Sequence, residues 1–247
     1  EKEFVNIVSR AQAGSEELIN SLTYAFRKAN LLILNELSKK GKRGGTTGTA
    51  ALIVGDLLHI VHVGDSRAYL ITADDIDMLT EDHSVAWQDF KRKVEPQLKN
   101  LIVKSQRENQ QDYKREYYRK RLEYLQNHPQ AHTITNVIGY YGDVEPFKLV
   151  TRIPSFHPSL ILLTTDGLTD LLDEYEIYET VKDELLYINR LRLFSNMWIS
   201  EERRYEYEIG RLCELITHKL IRKAEERHPH DNMTIVLACS VPISPRS

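Results

Sequence analysis

Three aspartates in this sequence stand where strands and turns meet. Asp166-Gly167 follows an apolar run, Leu160 to Leu163, and precedes a helical pattern that begins at Leu168 and continues through Tyr175, Ile177 and Val181. Asp231-Asn232 precedes a second apolar run, Met233 to Val241, which reads as a final strand. If the two strands pair antiparallel, the end of the first adjoins the start of the second, and both carboxylates leave the sheet at one edge. Asp65, within Gly64-Asp65-Ser66, interrupts a strand pattern; the spacing predicts a bulge that turns it outward to join them. Crowded carboxylates repel unless a cation lies between them. All-oxygen donors fit Mg²⁺ or Mn²⁺; Cys and His clusters for zinc are lacking. An Asp after a strand is also a common helix N-cap, so each motif alone is weak.

The elements that must position these residues follow from periodicity. Residues 4–38 read as two helices separated by Gly14-Ser15, with Phe4, Ile7 and Val8 on the first and Ser15 as N-cap of the second. TTGTAALIV, the turn Gly55-Asp56 and LLHIVHV form a hairpin. His59 and His62 fall on opposite faces of its second strand, so they read as structural and not as one metal site. Lys148 to Ile153 reads as an edge strand, Glu174 to Asp183 as a helix, Leu185 to Tyr207 has no clear period, and Ile209 to Glu226 is an amphipathic helix.

Val85 to Asn127 reads as mostly helical and very charged. From Lys91 to Glu123 there are 11 Lys/Arg against 5 Asp/Glu, a local charge of +6, interleaved with Tyr113, Tyr117, Tyr118 and Tyr124. One reading is a solvated helical hairpin whose tyrosines pack on the body. The other is a recognition flap for an acidic or phosphorylated partner.

With 247 residues, net charge −3 and 41% apolar residues, the expectation is one domain, 1–247, with extra helical segments at about 86–127 and 185–207. No basic stretch has the pattern of a general nucleic-acid binder. No apolar run approaches the roughly 18 residues of a membrane helix, and no signal peptide is visible. Cys213 and Cys239 fall on different elements and read as buried thiols, which fits a reducing cytoplasm. The chain opens at Glu1 inside an apparent helix and its first Met is Met78, so it reads as part of a longer protein.

Six motifs in order, GTTGTAAL, HVGDSRAYL, LTEDHS, TNVIG, LLTTDGLTDLLDEYEI and HDNMTIVLA, span about Gly45 to Ser240. Together they resemble the metal-dependent serine/threonine protein phosphatases of type 2C, in their bacterial form. The resemblance implies an α+β fold: a four-layer α-β-β-α sandwich of two mainly antiparallel sheets flanked by helices. It also implies two Mn²⁺ or Mg²⁺ ions at one sheet edge, sharing a water that attacks phosphorus. Asp166 and Asp231 match the ligands of one ion. Asp65 matches a carboxylate that joins Asp166 around a weaker third ion in some members. Gly64, Gly167 and Asn232 match the supporting positions of those motifs.

The family's first motifs are absent: the strand with Arg and Glu-Asp, and the Asp-Gly-x-Gly-Gly loop. They supply the bridging Asp, the phosphate-binding Arg and, in some members, a His acid. No Asp precedes Asp56. The expectation is therefore N-terminal truncation, with the first strands and these catalytic residues upstream and the 247-residue chain alone inactive. The implied substrate is a phosphoprotein made by a Ser/Thr kinase, with no nucleic acid and no membrane in this segment. Two alternatives stand beside this reading: a catalytically inactive pseudophosphatase acting as a regulatory or binding module, and a phosphatase of sigma-factor regulators.

Overall fold

The structure is a computed structural model; it describes residues 14–108, 111–195, 202–229 and 231–241. The expected first helix, with Phe4, Ile7 and Val8, lies outside the described residues. Helix α1 (Ser15–Lys39) leads into β1 (Gly48–Val54) and β2 (Leu57–Val63). Then come β3 (Arg67–Ile71), β4 (Ile76–Met78) and a helical excursion: α2 (Val85–Asp89), a π-helical turn (Phe90–Val94), α3 (Glu95–Glu108) and α4 (Gln111–Gln126). The chain returns through β5 (Phe147–Arg152), β6 (Ser159–Thr164), the single turn α5 (Asp166–Thr169), α6 (Glu174–Ser195), α7 (Glu202–Glu225) and β7 (Ile235–Ser240).

Two antiparallel sheets form, in the orders β1-β2-β5 and β4-β3-β6-β7. Alternation along each strand sorts its side chains into layers. Leu58 and Ile60 of β2, Ala68 and Leu70 of β3 and Ile161 of β6 form one apolar cluster between the sheets. Val61 of β2 faces Ile19 and Leu22 of α1 on the outer side of the first sheet. Tyr69, Ile71, Leu160 and Leu162 face Ile177, Val181, Ile216 and Leu220 of α6 and α7 on the outer side of the second. The order is helix, sheet, sheet, helices, the four-layer α-β-β-α arrangement that the motifs implied.

Three local expectations are corrected. Gly64-Asp65-Ser66 is not a bulge in a continuous strand. It is the crossing between the sheets, since β2 belongs to one and β3 to the other. Ser15 is not the N-cap of α1. Gly14 occupies that position, and the Ser15 hydroxyl instead lies 2.9 Å from His59 Nε2. The helical pattern after Asp166 is broken: α5 is one turn, and α6 starts at Glu174 and runs on to Ser195, through part of the stretch that showed no period. Residues 196–201, also in that stretch, lie outside the described residues.

His59 and His62 are both fully buried. His62 bonds the Thr49 hydroxyl at 2.8 Å and the Gly64 carbonyl at 2.8 Å, as expected of structural residues. Cys213 and Cys239, both half-buried, are free thiols. No helix among the described residues is long and apolar enough to cross a membrane.

Candidate functional site

Register brings the three aspartates to one edge. Strand β6 lies between β3 and β7 and is antiparallel to both. Thr164, its last residue, pairs with Arg67 at the start of β3 and with Ile235 at the start of β7. Asp65, just before β3, Asp166, just after β6, and Asp231, a few residues before β7, therefore leave the second sheet at the same end. The β6–β7 association extends past the ladder, with the Thr165 amide donating to the Thr234 carbonyl at 3.2 Å and the Thr234 amide donating to the Thr165 hydroxyl at 3.0 Å.

The supporting residues set that edge. Gly64 has φ +109, and a Cβ there would come within 2.4 Å of the Thr47 side chain. A Cβ on Gly167 would come within 2.5 Å of the Asn232 carbonyl oxygen. The two carboxylate-bearing turns are thus in backbone contact where only glycine fits. Each carboxylate also accepts from the next amide: Gly167 N donates to Asp166 Oδ1 at 2.9 Å, and Asn232 N donates to Asp231 Oδ1 at 2.7 Å.

Asp65, Asp166 and Asp231 line a cleft of about 300 Å³, together with Asp170, Arg67 and His132. Burial, with Asp166 next in effect, pushes the Asp65 carboxyl up to about 6. Burial and then Asp166 also push the Asp170 carboxyl up. Removal from water and mutual repulsion both disfavour the ionised form here. Among the described residues, no three His, Cys, Asp or Glu side chains stand ready-arranged around one ion position.

Behind the edge lies a charge network that sequence reasoning missed. Arg67 meets Asp82 in a two-pronged contact, Nη2 to Oδ2 at 2.7 Å and Nε to Oδ1 at 3.0 Å, with both side chains buried. Glu174, also buried, accepts from the Tyr69 hydroxyl at 3.0 Å, lies 3.7 Å from Arg67 Nη1 and forms an ion pair with Arg121. Arg121 lies over the rings of Trp87, Tyr117 and Tyr118 at 5.1–5.5 Å. Burial alone would push the Glu174 carboxyl up, but Arg121 and Arg67 outweigh it and hold the group below its ordinary value. Two signals were available: Asp82 in LTEDHS and Arg67 beside Gly-Asp-Ser. Arg121 was hidden in a basic run. Asp170, one helical turn beyond Asp166, could have been found from its i+4 spacing.

The sequence matches the family model Protein phosphatase 2C over residues 5–111. The serine/threonine phosphatase stp of Listeria innocua is 26% identical over 182 residues, covering 74% of this chain and 60% of that protein. Human protein phosphatase 1F is 35% identical over 75 residues, covering 30% of this chain and 16% of that protein. The crystal structure of the serine/threonine phosphatase Stp1 from Staphylococcus aureus aligns with a TM-score of 0.66 at 24% identity, over 93% of this chain and 70% of that one. The serine/threonine phosphatase PstP/Ppp of Mycobacterium tuberculosis aligns at 0.59 and 18% identity, over 98% and 79%. Over residues 5–111 the sequence carries the pattern of the protein phosphatase 2C family, and the fold is that of the bacterial serine/threonine phosphatase structure it aligns with. The chain spans about 60% of the length of the Listeria relatives that it matches most extensively.

Proposed function

We propose that the edge carrying Asp65, Asp166 and Asp231 is part of a site that hydrolyses phosphoserine and phosphothreonine esters in proteins. The observation that supports this reading best is the register of β6 against β3 and β7, which brings carboxylates from three separate chain segments to one end of one sheet. The relatives named phosphatases support the same chemistry.

The donor set suits a hard divalent cation, Mn²⁺ or Mg²⁺. Its residues are all carboxylates, and burial, with the neighbouring Asp166 next in effect, raises the Asp65 group. In this reading Asp166 and Asp231 would hold one ion, and Asp65 with Asp166 would hold a weaker one. Bound there, a divalent cation supplies charge neutralisation of the phosphoryl oxygens and a more acidic water. The chain's own contribution is positional. Gly167 lets the two ligand turns meet, the amides of Gly167 and Asn232 orient one oxygen of each carboxylate, and the Arg67–Asp82 pair fixes the start of β3.

The test is Mn²⁺-dependent hydrolysis of an aryl phosphate and a phosphothreonine peptide by the protein at its full natural length. Asp166→Asn or Asp231→Asn is expected to lower turnover by two or more orders of magnitude, since each removes ligand charge (about 1.4 kcal/mol of barrier per tenfold). Asp65→Ala is expected to lower it less. Equal losses at all three positions would show the ranking to be wrong, and unchanged turnover in Asp166→Asn would remove the metal-site reading.

A further inference from the structure

Cys213 and Cys239 lie outside the carboxylate cleft, and their elements bring them together. Cys213, Ile216, Leu220 and Ala224 stand at i, i+3, i+7 and i+11 of α7, on one face of the helix. Ile216, Leu220 and Ala224 are fully buried against the outer side of the second sheet. Ile235, Leu237 and Cys239 alternate along β7 and share one face of the strand. All three pack on that same apolar cluster, and α7 packs on β7. The levels of the two cysteines also match. From Cys213 to the end of α7 at Glu225 the helix rises about 18 Å, and from the start of β7 at Ile235 to Cys239 the strand rises about 13 Å. At that level the two thiols meet in a hydrogen bond.

Both residues are half-buried and neither is held in a disulfide. The hydrogen bond makes the two thiols unequal. Cys239 donates to the Cys213 sulfur, which holds the Cys213 thiol below its ordinary value against the opposing effect of burial. The same bond, with burial next in effect, pushes the Cys239 thiol up. The thiolate is the nucleophile in cysteine oxidation, so Cys213 is the sulfur that reacts first and Cys239 the neighbour that resolves it. Disulfides of reducing compartments are mostly of this transient, redox-responsive kind.

We infer that Cys213 and Cys239 form a redox clamp: hydrogen peroxide oxidises the pair to a disulfide that fastens α7 to β7. In the first step the Cys213 thiolate attacks one peroxide oxygen, the O–O bond breaks and hydroxide leaves, which gives Cys213 sulfenic acid. In the second the Cys239 sulfur gives up its proton and attacks the Cys213 sulfur. The S–O bond breaks, and the departing hydroxide takes that proton as water. The two thiols lose two electrons, one peroxide is reduced to two waters, and a thiol reductant reverses the change. The closed segment, residues 213–239, carries Asp231 between α7 and β7. The bond forms at the end of β7 away from Asp231: Cys239 pairs with Leu160 near the start of β6, and Ile235 pairs with Thr164 at its end. The clamp therefore restrains separation of α7 from β7 without entering the carboxylate edge.

The experiment treats the protein at its full natural length with a small excess of hydrogen peroxide, blocks the remaining thiols and maps the tryptic peptides by mass. Trypsin releases Cys213 in residues 212–219 and Cys239 in residues 228–246. The expected product is these two peptides joined, two hydrogens lighter than the separate pair and parted again by dithiothreitol. The melting temperature of the oxidised protein is expected to rise by about 5–10 °C over the reduced one, because the closed loop constrains the unfolded chain. Cys239→Ser is expected to stop at a Cys213 sulfenic acid that dimedone traps. Cys213→Ser is expected to lose both the joined peptide and the melting shift. The parent's peptide map decides the pairing even if a variant fails to fold, and none of these readouts needs phosphatase turnover. Recovery of the two parent peptides as free thiols or as separate sulfinic acids would overturn the inference. So would a joined pair with an unchanged or lowered melting temperature.

Discussion

Arg121, on α4, is ion-paired with Glu174, the first residue of α6, and both are buried. The pair joins the helical excursion to the element that follows the Asp166 turn. It decides between the two readings of the basic segment for part of its length. Arg121, Tyr117 and Tyr118 are core residues, and Phe90 is fully buried beside them. Several other cations of the segment are paired locally: Lys91 with Glu81, Arg92 and Lys93 with Asp89, and Lys120 with Glu116. The formal +6 is therefore much reduced in effect at the surface.

Removing one member of this network leaves the other charged and buried, which typically costs about 3–5 kcal/mol. Glu174→Gln is expected to fall in that range, because Arg121 then has no carboxylate. Arg121→Met should cost less, since Glu174 keeps Tyr69 and Arg67. Urea unfolding of both variants checks the order; a larger loss in Arg121→Met would show that its stacking on Trp87, Tyr117 and Tyr118 outweighs the charge.

Gly167→Ala drives a methyl group to 2.5 Å from the Asn232 carbonyl oxygen and 3.0 Å from its carbon. Both neighbours are backbone, so the segment leading into β7 must retreat. Overpacking of this kind costs about 1–3 kcal/mol. The melting temperature should fall, and stabilisation by Mn²⁺ should fall with it, as Asp231 moves from Asp166. Gly142→Ala, where nothing lies within 4 Å, is the control and should leave both unchanged.

The His62 imidazole is pushed down to about 4, first by burial and then by His83. A depressed pKa means that the unfolded chain binds the proton more readily. His62 therefore contributes stability that is present above about 6.5 and lost as pH falls towards about 4, by ~3 kcal/mol at most. Asp65, raised to about 6, has the opposite sign over nearly the same range. The parent's slope is thus partly cancelled, and the difference between parent and variant isolates His62. His62→Gln should flatten the loss of stability between pH 6.5 and 4 relative to the parent, measured by chemical unfolding at each pH. Parallel curves would show that His62 does not carry the acid response.

Much of the fold was legible because strand alternation and turn residues are local signals. The Gly55-Asp56 hairpin and the separate strands β6 and β7 could be read from short windows, while the antiparallel pairing of β6 with β7 stood only as a condition. The sheet crossing at Gly64-Asp65-Ser66 could not. A strand that resumes after two or three residues has the same local pattern whether it stays in its sheet or changes sheet, and only the packing of Leu58 and Ile60 against Ala68 and Leu70 distinguishes the cases. The placement of Asp65 before β3, across from Thr164 by way of Arg67, depends on that crossing. The long-range contacts Arg67–Asp82, Arg121–Glu174 and His132–Asp170 join segments far apart in sequence, so no spacing rule reaches them. Composition also misled: counting charges from Lys91 to Glu123 hid the fact that Arg121 is core while Lys99 and Arg119 are exposed.

That division makes the last prediction specific. A phosphoprotein approaching the cleft is anionic around its modified residue, and exposed cations on the excursion would raise its encounter rate and affinity through their long-range field, while a small aryl phosphate would sense them weakly. Lys99 and Arg119 are exposed residues of α3 and α4 that can be changed without touching the core. Lys99→Glu with Arg119→Glu is expected to raise KM for a phosphoprotein several-fold and to leave kcat for p-nitrophenyl phosphate unchanged. The rise should shrink as salt increases, because exposed charges are screened over about 10 Å at 0.1 M. Steady-state kinetics at low and high salt, on the protein at its full natural length, separate the outcomes. A salt-sensitive rise in KM confined to the phosphoprotein supports a docking role for the excursion. Unchanged kinetics on both substrates would leave Tyr117, Tyr118 and Arg121 as its contribution, a packed support for the carboxylate edge and not a recognition surface.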